Sequence, residues 1–178
     1  MYQYRLCSLM NKSINFKNIG TFSWYNFLLK MIIGYTSGVF DLFHIGHLNI
    51  LKNAKSMCDY LIVAVTTDEL MIGYKNKKAV IPFEERLEIV SSIEYVDRAV
   101  PQDNMDKIDA WKKYQFHKMF VGDDWKGTEK WILIEKQLRE YAVKLIYFPY
   151  TKGTSSTLIN QTLDDLRKWF AVIVKARF

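Results

Sequence analysis

Two of the chain's three histidines, His44 and His47, stand three residues apart around a glycine in Gly38-Val39-Phe40-Asp41-Leu42-Phe43-His44-Ile45-Gly46-His47. On the opening turn of a helix, imidazoles at this spacing project from neighbouring points, so both can touch one phosphate chain. That turn also leaves backbone N–H groups without intrahelical partners and carries partial positive charge, which favours an anion. Gly46 lets a ligand approach the backbone closely. A lone histidine in a turn reads as a satisfied polar group, whereas two around a glycine after a strand read as a phosphate-holding turn. Asp41 reads as a brace for it.

Three further segments hold residues suited to the same chemistry. Ser155, Ser156 and Thr157, in Tyr150-Thr151-Lys152-Gly153-Thr154-Ser155-Ser156-Thr157, open a later helix with hydroxyls and free N–H groups. Simple N-capping and a second anion cradle both fit that string. Lys75 and Lys77 lie in a polar loop that can close over phosphates, although such loops are more often solvated surface. Gly122-Asp123-Asp124-Trp125 offers carboxylates and a ring at a strand end. These can cap and pack a turn, or present charge and a ring to a ligand at the strand end.

The elements that must position these residues alternate. Ile32–Ser37 is a short β-prone run, and a helix begins near Ile45, with Leu48, Leu51, Ala54 and Cys58 on one stripe. Tyr60–Thr66 is a continuous β-rich run of the kind buried on both faces of a parallel sheet. A polar loop through Lys78 follows, and Pro82 opens a helix carrying Phe83, Leu87, Val90 and Ile93. Strands at Val96–Pro101, Lys118–Gly122 and Val143–Pro149 alternate with helices at Asp106–Tyr114, Glu129–Tyr141 and from Ser155 to about Val172. The pattern predicts a Rossmann-like, doubly wound, parallel five-stranded sheet with helices on both faces. Ligands of such sheets bind beyond the carboxyl ends of the strands, near the topological switch point. The histidine turn, the Asp-Asp-Trp segment and the Thr151–Thr157 segment follow the first, fourth and last strands, so all three converge on one edge.

Composition narrows the partners. The 178 residues suit one domain, and a hydrophobic content of 49% suffices for a core. Four of the six net positive charges fall in residues 1–30 as Arg5, Lys12, Lys17 and Lys30, leaving the other 148 residues at +2 without a basic stripe. A nucleic-acid partner is therefore not expected. Cys7 and Cys58 imply neither a disulfide framework nor a metal knuckle, which suits a reducing cytoplasm. No run reaches the ~20 apolar residues of a membrane span. Residues 1–30, interrupted by Asn, Ser, Lys and Gly, read as a dispensable leader before a domain at 31–178. Trp169–Val174 is a candidate partner or dimer surface.

The His-x-Gly-His turn after Gly-x-Phe-Asp resembles the signature of the nucleotidyltransferase superfamily that includes cytidylyltransferases and pantetheine-phosphate adenylyltransferase. Gly122–Trp125 and Tyr150–Thr157 are similar to the Gly-Asp-Asp-Trp and Arg-Thr-x-Gly-Ile-Ser-Thr-Thr segments of bacterial glycerol-3-phosphate cytidylyltransferases. Lys75–Ala79, Phe83–Arg86 and Tyr95–Asp97 follow that family's order, and the likeness runs from about Met31 to about Leu163. It implies transfer of CMP from CTP to a phosphorylated alcohol by direct in-line displacement, giving a CDP-alcohol and pyrophosphate. Positioning and electrostatics dominate such reactions.

Roles follow from the same resemblance. His44 and His47 would contact the bridging and leaving phosphates, with Lys77 on the triphosphate and Lys75 on the acceptor's phosphate. Val39 and Phe40 would lie along the nucleotide with Asp124, Thr151, Gly153, Ser155, Ser156 and Thr157. Lys107, Arg86 and Trp125 would serve the acceptor. Mg2+ is expected from the chemistry, held mainly by phosphates and water rather than by a protein metal site. A homodimer is expected. Tyr150 and Glu94 stand where the pattern has arginines, which keeps other acceptors (phosphoethanolamine, phosphocholine, ribitol 5-phosphate), an adenylyltransferase and a non-catalytic nucleotide-binding module as alternatives.

Overall fold

The structure is a computed structural model and describes residues 31–75 and 78–176. Residues 1–30, expected from sequence to be a dispensable leader, lie outside the described residues. Five strands form the sheet: β1 (Ile33–Gly38), β2 (Tyr60–Thr66), β3 (Arg98–Gln102), β4 (Lys118–Gly122) and β5 (Lys144–Phe148). All pair in parallel in the order β3-β2-β1-β4-β5. The order reverses direction between β1 and β4, so the crevice for a ligand opens beyond those two strands.

Among the described residues there are six α-helices, α1 (Ile45–Lys55), α2 (Asp68–Lys75), α3 (Phe83–Ser91), α4 (Lys107–Tyr114), α5 (Glu129–Glu140) and α6 (Ser156–Ala176), with a single 3-10 turn at Asp123–Trp125. Leu61, Val63 and Val65 of β2 pack with Leu51 and Ala54 of α1 and Val90 of α3 in one cluster. On the other face Tyr35 stacks on Phe116 and on Tyr114 of α4. Helices therefore cover both faces, which is why Leu61 through Val65 is wholly buried, with no polar alternation. α6 leaves Trp169, Phe170 and Val172 exposed. Among the described residues no helix is long and apolar enough to cross a membrane.

One stretch departs from the sequence reading. Asp68–Lys75, expected as a polar loop, is helical. Thr67 starts it, its Oγ1 accepting from Leu70 N at 3.2 Å, and Asp68 and Glu69 place negative charge at the positive end. Lys75, expected in the lysine loop, is thereby the last residue of this helix.

Candidate active site

The turn between β1 and α1 is built on strain that its neighbours hold in place. Phe40 and Leu42 adopt left-handed backbone angles, with φ of 55° and 48°. Bulky residues there cost about 1–3 kcal/mol each, so the surroundings must over-determine the conformation. Phe40 is buried in the cluster with Leu51 and Phe148. Asp41, also buried, accepts from the backbone N–H of Leu42, Val80 and Ile81, each at 3.0 Å, which makes it the expected brace.

His44 is the N-cap of α1, and its Nδ1 accepts from Gly46 N at 3.0 Å. A neutral imidazole that accepts at Nδ1 carries its proton on Nε2, so a donor remains for a ligand. Partial burial lowers the His44 pKa. His47 stacks on His44 with ring centroids 4.0 Å apart and packs against Phe40 and Phe43. Burial first, then the His44 charge, push its pKa down to about 4, opposed by Asp41. Both rings are neutral hydrogen-bonding groups near pH 7. His47 Nδ1 is buried without a hydrogen-bond partner among the described residues, a costly state.

Gly46 has a sharper role than ligand access. A Cβ there would lie 2.8 Å from His44 Cε1 and 3.0 Å from its Nδ1. The glycine makes room for the His44 ring to fold back as a cap. Gly46→Ala is expected to displace that ring and lower kcat about 10²-fold, the usual consequence of a misplacement near 1 Å, with the melting temperature within a few degrees of wild type. Steady-state kinetics and thermal denaturation check this.

Protonation of His47 gives a second test. Its unfolded value is the ordinary 6.5 and its folded value is about 4, so the unfolded state takes up the proton first as pH falls. The His47 contribution is complete above pH 6.5 and is lost as pH falls to about 4. Melting temperature should decline across that window, and less steeply in His47→Gln.

A cavity of about 410 Å³ opens at the switch point, lined by residues of all three motifs. Val39, Phe40, His44 and His47 meet Asp124 and Trp125, with Thr151, Ser155, Ser156 and Thr157 opposite. Cross-links fix the assembly: Ser156 Oγ donates to Asp41 O at 2.8 Å, Asn49 Nδ2 to Thr151 Oγ1 at 3.2 Å, and Tyr150 N to Asp123 Oδ1 at 3.1 Å. Gly153 has φ of 107°, a conformation that suits only glycine. The serine string caps its helix. Ser155 Oγ caps α6 by accepting from Leu158 N at 3.1 Å, which leaves its own O–H free. The Ser156 O–H is committed to Asp41 O, so Ser156 can serve an anion through its backbone N–H rather than its hydroxyl.

Lys107 is 4% exposed, lines the cavity and donates from Nζ to Ser37 Oγ at 3.1 Å. Burial, then the charge of Lys130, bring its pKa down to about 8, against the opposing pull of Asp106. Arg86 is a correction. Expected at the acceptor, it is 0% exposed. Its guanidinium donates to Ile81 O and Thr66 O, each at 2.9 Å, to Val39 O and to Asp68. It holds the histidine turn from behind and, fully buried and outside the cavity lining, does not reach a substrate there. Lys77 and the Lys75 side chain lie outside the described residues. Sequence reading missed Lys130, Trp131, Gln102 and Met105, which also line the cavity. Lys130 and Trp131 start the helix after the Asp-Asp-Trp segment, and helix N-termini point to this sheet edge. That placement was the available signal.

A strained, histidine-capped phosphate turn at the switch point of a 3-2-1-4-5 parallel sheet, faced by a second helix N-terminus, defines a nucleotidyl-transfer site. Residues 35–162 match the cytidylyltransferase-like family model, and the chain belongs to that family. It is 38% identical over 139 residues to the glycerol-3-phosphate cytidylyltransferase of Bacillus spizizenii, covering 78% of this chain and 100% of that one. It is 34% identical to the ethanolamine-phosphate cytidylyltransferase of Arabidopsis thaliana, over 72% of this chain and 31% of that one. Among solved structures it resembles a lipopolysaccharide core biosynthesis protein of Thermoplasma volcanium, with a TM-score of 0.59 and 25% identity over 70% of this chain and 99% of that one.

Proposed function

We propose that the chain transfers the cytidylyl group of CTP to glycerol 3-phosphate. The observation that carries this reading is the single cavity that joins the two histidines, the α6 N-terminus and the buried lysine Lys107. The family supplies the class, and the 38% identical relative supplies the acceptor. An oxygen of the acceptor phosphate attacks the α-phosphorus of CTP, the bond from that phosphorus to the bridging oxygen breaks, and pyrophosphate leaves. No covalent enzyme intermediate is required. His44 Nε2–H and His47 stabilise charge developing on the leaving phosphates, which fixed donors in a partly desolvated site do effectively. Backbone N–H groups at the start of α6, with the Ser155 and Thr157 hydroxyls, hold the triphosphate. Lys77 joins them there, and Lys75 joins Lys107 on the acceptor's phosphate. Thr151 shapes the nucleotide wall, Gly153 turns the loop behind it, Asp124 orients the base or a lysine, and Trp125 floors the acceptor side.

Asp124 is the single carboxylate lining the cavity among the described residues, and no group of three His, Cys, Asp or Glu is placed to hold an ion. That donor set fits magnesium carried chiefly by phosphates and water, where it neutralises phosphate charge when bound. The apolar residues exposed on α6 support a homodimer, testable by light scattering. The activity is tested by incubating the protein with magnesium and CTP or ATP, crossed with glycerol 3-phosphate, phosphoethanolamine and ribitol 5-phosphate. Pyrophosphate release that requires CTP and is fastest with glycerol 3-phosphate is expected. Release with ATP alone, or none in any combination, would sink the reading.

A further inference from the structure

Two helix N-termini besides those of α1 and α6 reach the cavity, and each brings a lysine. Lys107 is the first residue of α4, after the Asp106 cap, and Lys130 is the second residue of α5. Both line the cavity. Lys130 Nζ stands 5.5 Å from the centre of the Tyr74 ring, which steadies it there. Among the described residues neither lysine has an ion-pair partner, and Lys107 is almost wholly buried. A cation in the first turn of a helix opposes the dipole, and the two ammonium groups repel, so neither lysine is there to stabilise its helix. Lys130 is exposed at the cavity mouth, Lys107 is buried within it, and an anion entering the cavity meets both positive charges. Lys130 belongs to none of the motifs shared with the glycerol-3-phosphate enzymes.

We infer that Lys130 is a specificity-determining residue that, together with Lys107, holds the acceptor's dianionic phosphate and disfavours acceptors carrying an ammonium group. The inference rests on the cytidylyl-transfer reading above. A phosphate bridging two ammonium groups tolerates a neutral polyol attached to it. An acceptor such as phosphoethanolamine would bring a third cation beside them.

The test compares wild type with Lys130→Gln, Lys130→Arg and, as a control outside the cavity, Lys126→Gln. Pyrophosphate release is followed against acceptor concentration and pH, and glycerol 3-phosphate binding is titrated calorimetrically without turnover. Lys130→Gln should raise both the KM and the Kd for glycerol 3-phosphate about tenfold, the worth of one charge-assisted contact. Its KM for CTP should stay unchanged, and its preference for glycerol 3-phosphate over phosphoethanolamine should narrow.

The pH profile separates this role from a structural one. The charged groups acting on Lys107 are Lys130 from α5, which lowers its pKa, and Asp106 from its own helix, which raises it. In wild type kcat/KM for the acceptor should fall above about pH 8, as Lys107 loses its proton. Removing the positive neighbour should move that limb to higher pH, and arginine should restore it. An unchanged acceptor KM and alkaline limb in Lys130→Gln, with wild type active, would overturn this inference alone. A wild type that releases no pyrophosphate from CTP with any acceptor would overturn the cytidylyl-transfer reading and this one with it.

Discussion

His44→Asn is expected to lower kcat for CTP-dependent pyrophosphate release by about 10²–10³-fold, the usual loss when one donor to a developing anion is removed. Asparagine is chosen because it separates the two jobs of His44. Its side-chain oxygen can accept from Gly46 N as His44 Nδ1 does at 3.0 Å, and asparagine is among the best N-caps, so α1 keeps its start. The group lost is the Nε2–H, which on the proposed reading serves the leaving phosphates. Activity should therefore collapse while the melting temperature stays within a few degrees. His44→Ala removes the cap as well and should lose about 1 kcal/mol of stability on top of the same kinetic defect. Single-turnover kinetics beside thermal denaturation give both readouts. An asparagine variant that keeps more than about a tenth of wild-type kcat would place the transition-state donor elsewhere.

What the sequence disclosed follows from how strongly each residue's surroundings are local. β2 and β4 were readable to the residue, because a strand buried on both faces is a continuous apolar run ending at polar residues. The convergence of three motifs on one edge was readable too, since parallel strands with right-handed crossovers leave little freedom about where strand ends go. α2 was not readable, because eight residues containing Gly73 carry little helical signal and Thr67 as a cap is plain only once its oxygen is seen on Leu70 N. Arg86 failed for a different reason. Arginine in a helix after a lysine loop suggests a phosphate contact by type alone. Only the fold shows four acceptors surrounding its guanidinium, three of them eighteen or more residues away in the chain. Lys130 was missed because the cavity wall that carries it and Lys107 is assembled from the starts of two helices, with no motif to mark it.

Arg86→Met should cost about 3–5 kcal/mol of stability, as expected for breaking a buried charged network from one side. The side chain is 0% exposed and satisfies Ile81 O, Thr66 O, Val39 O and a carboxylate oxygen of Asp68. Methionine fills similar volume, so the loss reports unmatched acceptors rather than a cavity. Arg86→Lys keeps the charge, but one ammonium cannot reach four acceptors spread around a planar fork, so it should recover only part of the stability. Urea denaturation measures both, and a methionine variant within about 0.5 kcal/mol of wild type would show that these bonds contribute little. The lysine variant carries the functional consequence. Val39 O precedes Phe40, whose left-handed backbone is held against strain, and Val80 and Ile81 reach the same turn through Asp41. Loosening the guanidinium frees that turn to relax toward ordinary angles and carries His44 and His47 out of register. Folded Arg86→Lys should therefore lose kcat and gain KM for CTP while its acceptor KM changes least, although no substrate touches the residue.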